Sequence, residues 1–314
     1  MNRLNTCIGS IEMTSPVMTA SGTSGHSDEL SRIANCDIQS LGAFVTKGIT
    51  LHKREGNPQL RLIETRAGIL NSIGLQNMGV DYFLEKDLPA LKKYAIPIVV
   101  NISAESIEQF SRLCAKLKES DNYTLIEGIE INLSCPNIAA GGLSFGTDPK
   151  TVEKVVKVVK RGLGDKTIIT KLTPNVTDIT TIAKGAITGG SDALCMINTL
   201  RGMAIDIDRQ KPLLGNRIGG LSGPGIKPVG VFMVYECFRK IPECRDRRIP
   251  IIGVGGIMNF RDALEYILVG ASAIEIGTGF FVNPSVYKEV KQGIDSYLKK
   301  CNKDLITIIG AATA

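Results

Sequence analysis

Tryptophan is absent from this chain, aromatic residues make up 5% of it, and histidine occurs twice, as His26 and His52. Without stacking rings interleaved with basic residues, a surface for single-stranded nucleic acid is not expected. The net charge of +6 is modest, and its densest basic run, 245–248, is interrupted by Asp246, so that run reads as a solvated face. A small anionic ligand stays compatible with this balance. The eight cysteines, Cys7, Cys36, Cys114, Cys135, Cys195, Cys237, Cys244 and Cys301, are scattered with no Cys-x-x-Cys pair. With so few histidines, that spacing argues against a zinc or iron–sulfur site, and most of the thiols read as small, reduced core residues. No apolar run approaches the roughly 18 residues that a membrane-spanning helix needs. The segment MNRLNTCIGSIEM lacks the apolar centre of a secretory signal, so a cytoplasmic protein without a metal site is expected.

What is present suffices for a large core: 314 residues, 43% hydrophobic and 22% charged. Short β-rich runs alternate with longer helical stretches, the pattern of repeated βα units on a parallel sheet. The candidate strands are 16–20, 43–46, 97–101, 128–133, 167–171, 193–198, 250–254 and 273–276. Eight such units predict an α/β fold, a (β/α)8 barrel of the TIM type. Between them, 148–161 reads as a helix started by Asp148 and Pro149, with Val152, Val155, Val156 and Val159 as its apolar stripe. No internal repeat or low-complexity linker marks a boundary, so one domain over 1–314 is expected.

In such barrels the chemistry sits at the C-terminal ends of the strands. Those ends here carry Ala20 and Ser21, Lys47, Asn101, Asn132, Lys171, Asn198 and Thr199, Gly255 and Gly256, and Gly277 and Thr278. Two lysines and three asparagines thus converge on one mouth. Segment 130–137 places Asn132 where an apolar residue would be expected, and Pro136 ends the strand directly after Cys135. A buried amide needs polar partners, such as the edge of a ligand; a turn whose asparagines cap their own backbone is the alternative. Gly253, Gly255 and Gly256 after the seventh strand, with Gly277 and Thr278 after the eighth, stand where these barrels hold a phosphate on backbone N–H groups. Two long excursions, 48–81 and 200–228, predict lids or partner surfaces at the same face, and the first contains NSIGLQN.

The motifs ASGTSG (20–25), TKGIT (46–50), NSIGLQN (71–77), NLSCPN (132–137), TKLTPN (170–175), INTLRGMAIDI (197–207), GGLSGPGIKP (219–228), GVGGI (253–257) and GTGF (277–280) together resemble the dihydroorotate dehydrogenases, flavin enzymes of pyrimidine synthesis, over essentially the whole chain. Cys135 and the short N-terminus are similar to the cysteine-base, soluble members. IGLQN and INTLRGMAIDI look like class 1B, which passes electrons to NAD through a second subunit, and unlike the fumarate-using class 1A.

The resemblance implies one FMN held by Ala20, Ser21, Lys47, Gly48, Asn101, Asn132, Lys171, Ile197, Gly223, Gly255, Gly256, Gly277 and Thr278. It implies dihydroorotate against Lys47, Asn71, Ser72, Ile73, Gly74, Leu75, Asn132, Asn198 and Thr199, with Cys135 as base and Lys171 as the fixed charge beside the flavin. It further implies a homodimer joined to a subunit carrying FAD and an iron–sulfur cluster, since this chain has no second nucleotide fingerprint. His26 and Arg201 lie near these motifs and are assigned no role. The competing readings are a fumarate-reducing enzyme, a Schiff-base aldolase using Lys171, and a flavin-binding subunit without activity.

Overall fold

Eight strands pair in parallel where the sequence places them, each within two residues of its expected bounds: β1 (Val17–Thr19), β2 (Phe44–Val45), β3 (Ile98–Ile102), β4 (Gly128–Asn132), β5 (Thr167–Leu172), β6 (Ala193–Met196), β7 (Ile251–Val254) and β8 (Ala271–Ile276). The computed structural model describes residues 2–26, 29–134, 136–137 and 143–313, with the backbone alone for Pro136, Asn137, Leu143 and Ser144. Hydrogen bonding runs in the order β1-β8-β7-β6-β5-β4-β3-β2, and a parallel bridge between Met18 and Ala43 closes the sheet into a barrel. The strands are apolar on both faces because both are covered, by the barrel interior and by helices.

Helices α1 (Ile107–Lys118), α2 (Pro149–Leu163), α3 (Ile179–Gly189), α4 (Lys227–Lys240), α5 (Phe260–Leu268) and α6 (Val286–Cys301) follow β3 to β8 in turn. Their starts are specified locally: Ser106, Asp148, Asp178 and Asn259 each accept a hydrogen bond from a first-turn backbone N–H. In α2 the expected stripe, Val152, Val155, Val156 and Val159, is fully buried. No helix among the described residues is long and apolar enough to cross a membrane.

Two features outside the βα repeat shape the ends of the barrel. At the C-terminal end, the two long excursions join into one antiparallel sheet, Leu200–Gly202, Gly219–Ser222, Gly68–Asn71 and Leu62–Thr65, in that order. Gly68 must be glycine here, because a Cβ would lie 1.9 Å from the Ser222 carbonyl oxygen. At the N-terminal end, the hairpin Thr6–Ile8 and Ile11–Met13 closes the barrel floor. Its Ile8, Ile11 and Met13 pack with the interior residues Met18, Val45, Val99, Ile169, Ala193, Ile252 and Ala273. The Ser10 amide donates to Thr167 Oγ1 (3.0 Å) at the start of β5, and Thr6 Oγ1 donates to the Ser272 carbonyl (2.9 Å) in β8.

Truncating this plug should cost stability without touching the opposite face. Ile11→Ala should lower the unfolding free energy by about 2–5 kcal/mol, read from urea denaturation, while ligand affinity at the C-terminal face stays at the parent value.

Candidate active site

A cavity of about 420 Å³ opens at the C-terminal ends of the barrel strands, beneath the antiparallel sheet. Ala20, Ser21, Lys47, Gly48, Asn101, Asn132, Lys171, Ile197, Gly223, Gly255, Gly256, Gly277 and Thr278 all line it, as do Asn71, Ile73, Leu75, Asn198 and Thr199. Ser72 and Gly74 do not line it. Ser72 is buried behind the wall, where its Oγ and carbonyl accept from Asn57 Nδ2 (2.8 and 3.3 Å). Gly74, at φ +75°, packs against Asn57, whose backbone N would lie 2.6 Å from a Cβ there. Cys135 lies outside the described residues.

Lys171 forms the cavity floor and is itself held from below. Its ammonium donates to Glu275 Oε2 at 2.6 Å and to Glu130 Oε1 at 3.4 Å, and both carboxyls are wholly buried. Asn101 Nδ2 donates to the same Glu130 oxygen (2.6 Å), and the Cys195 thiol donates to Glu275 Oε1 (3.4 Å). Burial works against the charged lysine, but its acidic neighbours overcome it and hold Lys171 well above the usual lysine range. Burial, and after it the charge of Glu130, push Glu275 up to about 8. Burial would raise Glu130 too, yet Lys171, with hydrogen bonds from Glu275 and Asn101, holds it below the carboxylate range. Glu275 both makes the shorter contact to Lys171 and holds its proton harder, so the proton belongs to the two carboxyls as a unit. Alternation along a strand ordinarily sends a lone charged residue to solvent, so Glu130 and Glu275 are not expected from sequence as site residues. The signal available was a carboxylate inside Ile129-Glu130-Ile131 and inside Ile274-Glu275-Ile276, strands with no wet face.

The remaining polar wall is a chain of amides. Asn198 Nδ2 donates to Asn132 Oδ1 (3.2 Å) and Ser134 Oγ (2.8 Å), while its Oδ1 accepts from the Thr199 amide (2.8 Å). Asn132 Oδ1 also accepts from the Ser134 amide (3.1 Å), which fixes the backbone next to Cys135 in sequence. Lys47 reaches the cavity from the end of β2. Burial lowers its pKa, Glu29 opposes that, and Arg61 adds to it. Burial first and Lys47 second bring His26 down to about 4, so its imidazole is neutral at neutral pH.

At the far end, glycines expose backbone. Gly255 and Gly256 sit at φ +126° and +68°, and Gly223 at +99°, conformations that L side chains rarely adopt. A Cβ on Gly256 would lie 2.7 Å from Lys227 Cβ and 2.8 Å from the Gly223 carbonyl oxygen. Tyr266 O–H donates to the Gly255 carbonyl (2.8 Å), and Thr278 Oγ1 bonds Ser222 Oγ (2.8 Å), joining this turn to the antiparallel sheet. Leu62, Ile69, Gln76, Ser222 and Phe281, which no motif singled out as site residues, also line the cavity, from the excursions and from the short helix after β8.

The loop after Asn71 hangs on Asn77, which donates to Thr50 Oγ1 (2.8 Å) and the Leu75 carbonyl (2.7 Å) and accepts from the Gly79 amide (2.8 Å). Asn77→Ala should leave these buried partners unmatched at about 1–3 kcal/mol each. The expected outcome is faster amide exchange in the loop with unchanged protection of the barrel strands.

A match to the family described as dihydroorotate dehydrogenase spans residues 3–298. The chain is 49% identical over 306 residues to the dihydroorotate dehydrogenase B (NAD(+)), catalytic subunit, of Desulforamulus reducens, covering 97% of each. It is 50% identical over 305 residues to the protein of that name from Caldicellulosiruptor bescii, again 97% of each, and 46% identical over 312 residues to that of Bacteroides thetaiotaomicron, 99% of each. The chain belongs to the dihydroorotate dehydrogenase family.

Proposed function

We propose that this chain oxidises (S)-dihydroorotate to orotate in pyrimidine biosynthesis, in the cytoplasm, with FMN as its cofactor and NAD+ as the final acceptor reached through a partner subunit. The observation that carries this reading is the convergence of Lys47, Lys171, Asn101, Asn132 and Asn198 in one cavity that also ends in an exposed glycine backbone. The residues fit FMN: Gly223, Gly255, Gly256 and Gly277 line the cavity with no side chain between their backbone and a ligand, and together with Thr278 they would offer N–H groups to a phosphate. FMN when bound supplies the acceptor for the hydride leaving C6 of the substrate.

The chain's own residues would do the rest. Lys171 presents a fixed ammonium to the cavity floor, favouring a ligand that becomes more negative there without any reorganisation. Lys47, Asn71, Asn132, Asn198 and Thr199 would orient the substrate's carboxylate and ring amides. Cys135, next to the anchored Ser134, would take the proton from C5; a thiol with a pKa near 8.5 is a usable base at neutral pH. An aldolase reading needs Lys171 as a neutral amine, and the carboxyls beneath it keep it an ammonium. The relatives are named as catalytic subunits, and the scattered cysteines of this sequence suit delivery of electrons to a subunit carrying FAD and an iron–sulfur cluster, bound to a homodimer.

Anaerobic mixing of the purified chain with dihydroorotate should bleach the flavin absorbance, and a chain that takes up no FMN would overturn the reading. Reoxidation by fumarate with the lone chain would replace NAD+ as the acceptor. Cys135→Ala should retain FMN and lose at least about 10²-fold in the reductive rate, which in the parent rises with pH through the thiol's pKa. Lys171→Gln should slow flavin reduction by about 10²–10³-fold with a smaller change in substrate affinity.

A further inference from the structure

We propose that Glu130 and Glu275 are positioning residues that hold one shared proton beneath Lys171, and that this proton sets the charge under the ligand in the cavity. The inference rests on the reading of that cavity as the flavin site. Its geometry is independent of it. Oxygens of the two carboxyls and the Cys195 sulfur lie within 4.8 Å of one another, and all three residues are wholly buried. Among the described residues one ammonium, that of Lys171, is within reach to balance them, at 2.6 and 3.4 Å. The other polar groups bonded to the pair among the described residues are Asn101 from β3 and, from β6, the thiol of Cys195, which burial keeps protonated.

Two carboxylates this close, away from water and with a single cation, do not both ionise. The stable content of the layer is one ammonium, one carboxylate and one carboxyl, with no net charge. Glu130 Oε2 is buried and accepts from no other donor among the described residues, so the proton that Glu275 holds has an acceptor within the pair.

The burial that raises Glu275 to about 8 makes the layer titrate near the working range. Below that pH the floor of the cavity is neutral overall. Above it the second carboxyl ionises, the layer becomes negative, and a ligand gaining electrons above Lys171 is opposed. The rise of activity with pH through Cys135 should therefore turn into a fall on the alkaline side, giving a bell whose two limbs belong to different groups.

Infrared difference spectra of the full-length chain, taken without FMN between about pH 6 and about pH 10, should show loss of one protonated-carboxyl stretch with a midpoint near 8. Glu275→Gln and Glu130→Gln should each abolish that band, since one carboxylate then faces one ammonium. In the FMN-loaded protein each variant should also lose the alkaline limb of flavin reduction while keeping the acid limb. Absence of the band in the parent chain, or its survival in both variants, would overturn the proposal, and the parent titration decides this even if a variant fails to fold. A chain that shows the band but binds no FMN would overturn the flavin reading alone. One that binds FMN and lacks the band would overturn the shared proton alone.

Discussion

Burying the ammonium of Lys171 is the constraint from which the rest of the site follows. An isolated charge in the barrel interior would cost several kcal/mol, so its counter-charges must be built into the wall. They come from β4 and β8, on either side of the barrel, and a third contact comes from Asn101 on β3. A one-residue slip of either strand would turn its carboxyl outward and leave the ammonium with a single counter-charge. The cluster therefore ties strand register to cavity chemistry. The rest of the interior is apolar, with Met18, Val99, Ile169, Ala193, Ile252 and Ala273 in one buried cluster.

The sequence shows the barrel because each strand is a short apolar run bounded by turn residues, and its polar end marks the face where ligands bind. Asn132 and Lys171 stood out as polar residues in apolar strands, and both line the cavity. Glu130 and Glu275 have the same signature but sit mid-strand, where their position gives no hint of a partner more than forty residues away in Lys171 or, for Glu275, about a hundred. The antiparallel sheet was equally hidden. Its strands are short and glycine-rich, and its central pairing joins Asn71 to Gly220 across regions that nothing local connects.

The motif NSIGLQN was recognisable as a unit, yet its members divide by geometry. Asn71, Ile73, Leu75 and Gln76 face the cavity, whereas Ser72 and Gly74 face Asn57 behind it. Residues 71 to 73 alternate as at a strand's end, and the left-handed Gly74 and Leu75 (φ +75° and +57°) then turn the chain so that Leu75 and Gln76 both meet the cavity. The wall and its support are thus written in adjacent residues, and a motif alone cannot separate them.

The floor hairpin has a consequence for the order of assembly. It precedes every barrel strand in the chain, but Ser10 finds its partner Thr167 only 157 residues later. Until β5 and β8 exist, Ile8, Ile11 and Met13 have no socket, so an emerging chain must keep these apolar residues apart from other surfaces. Contacts of such sequence separation are slow to form. The barrel is sealed at one end by residues that precede its strands and covered at the other by excursions from between them.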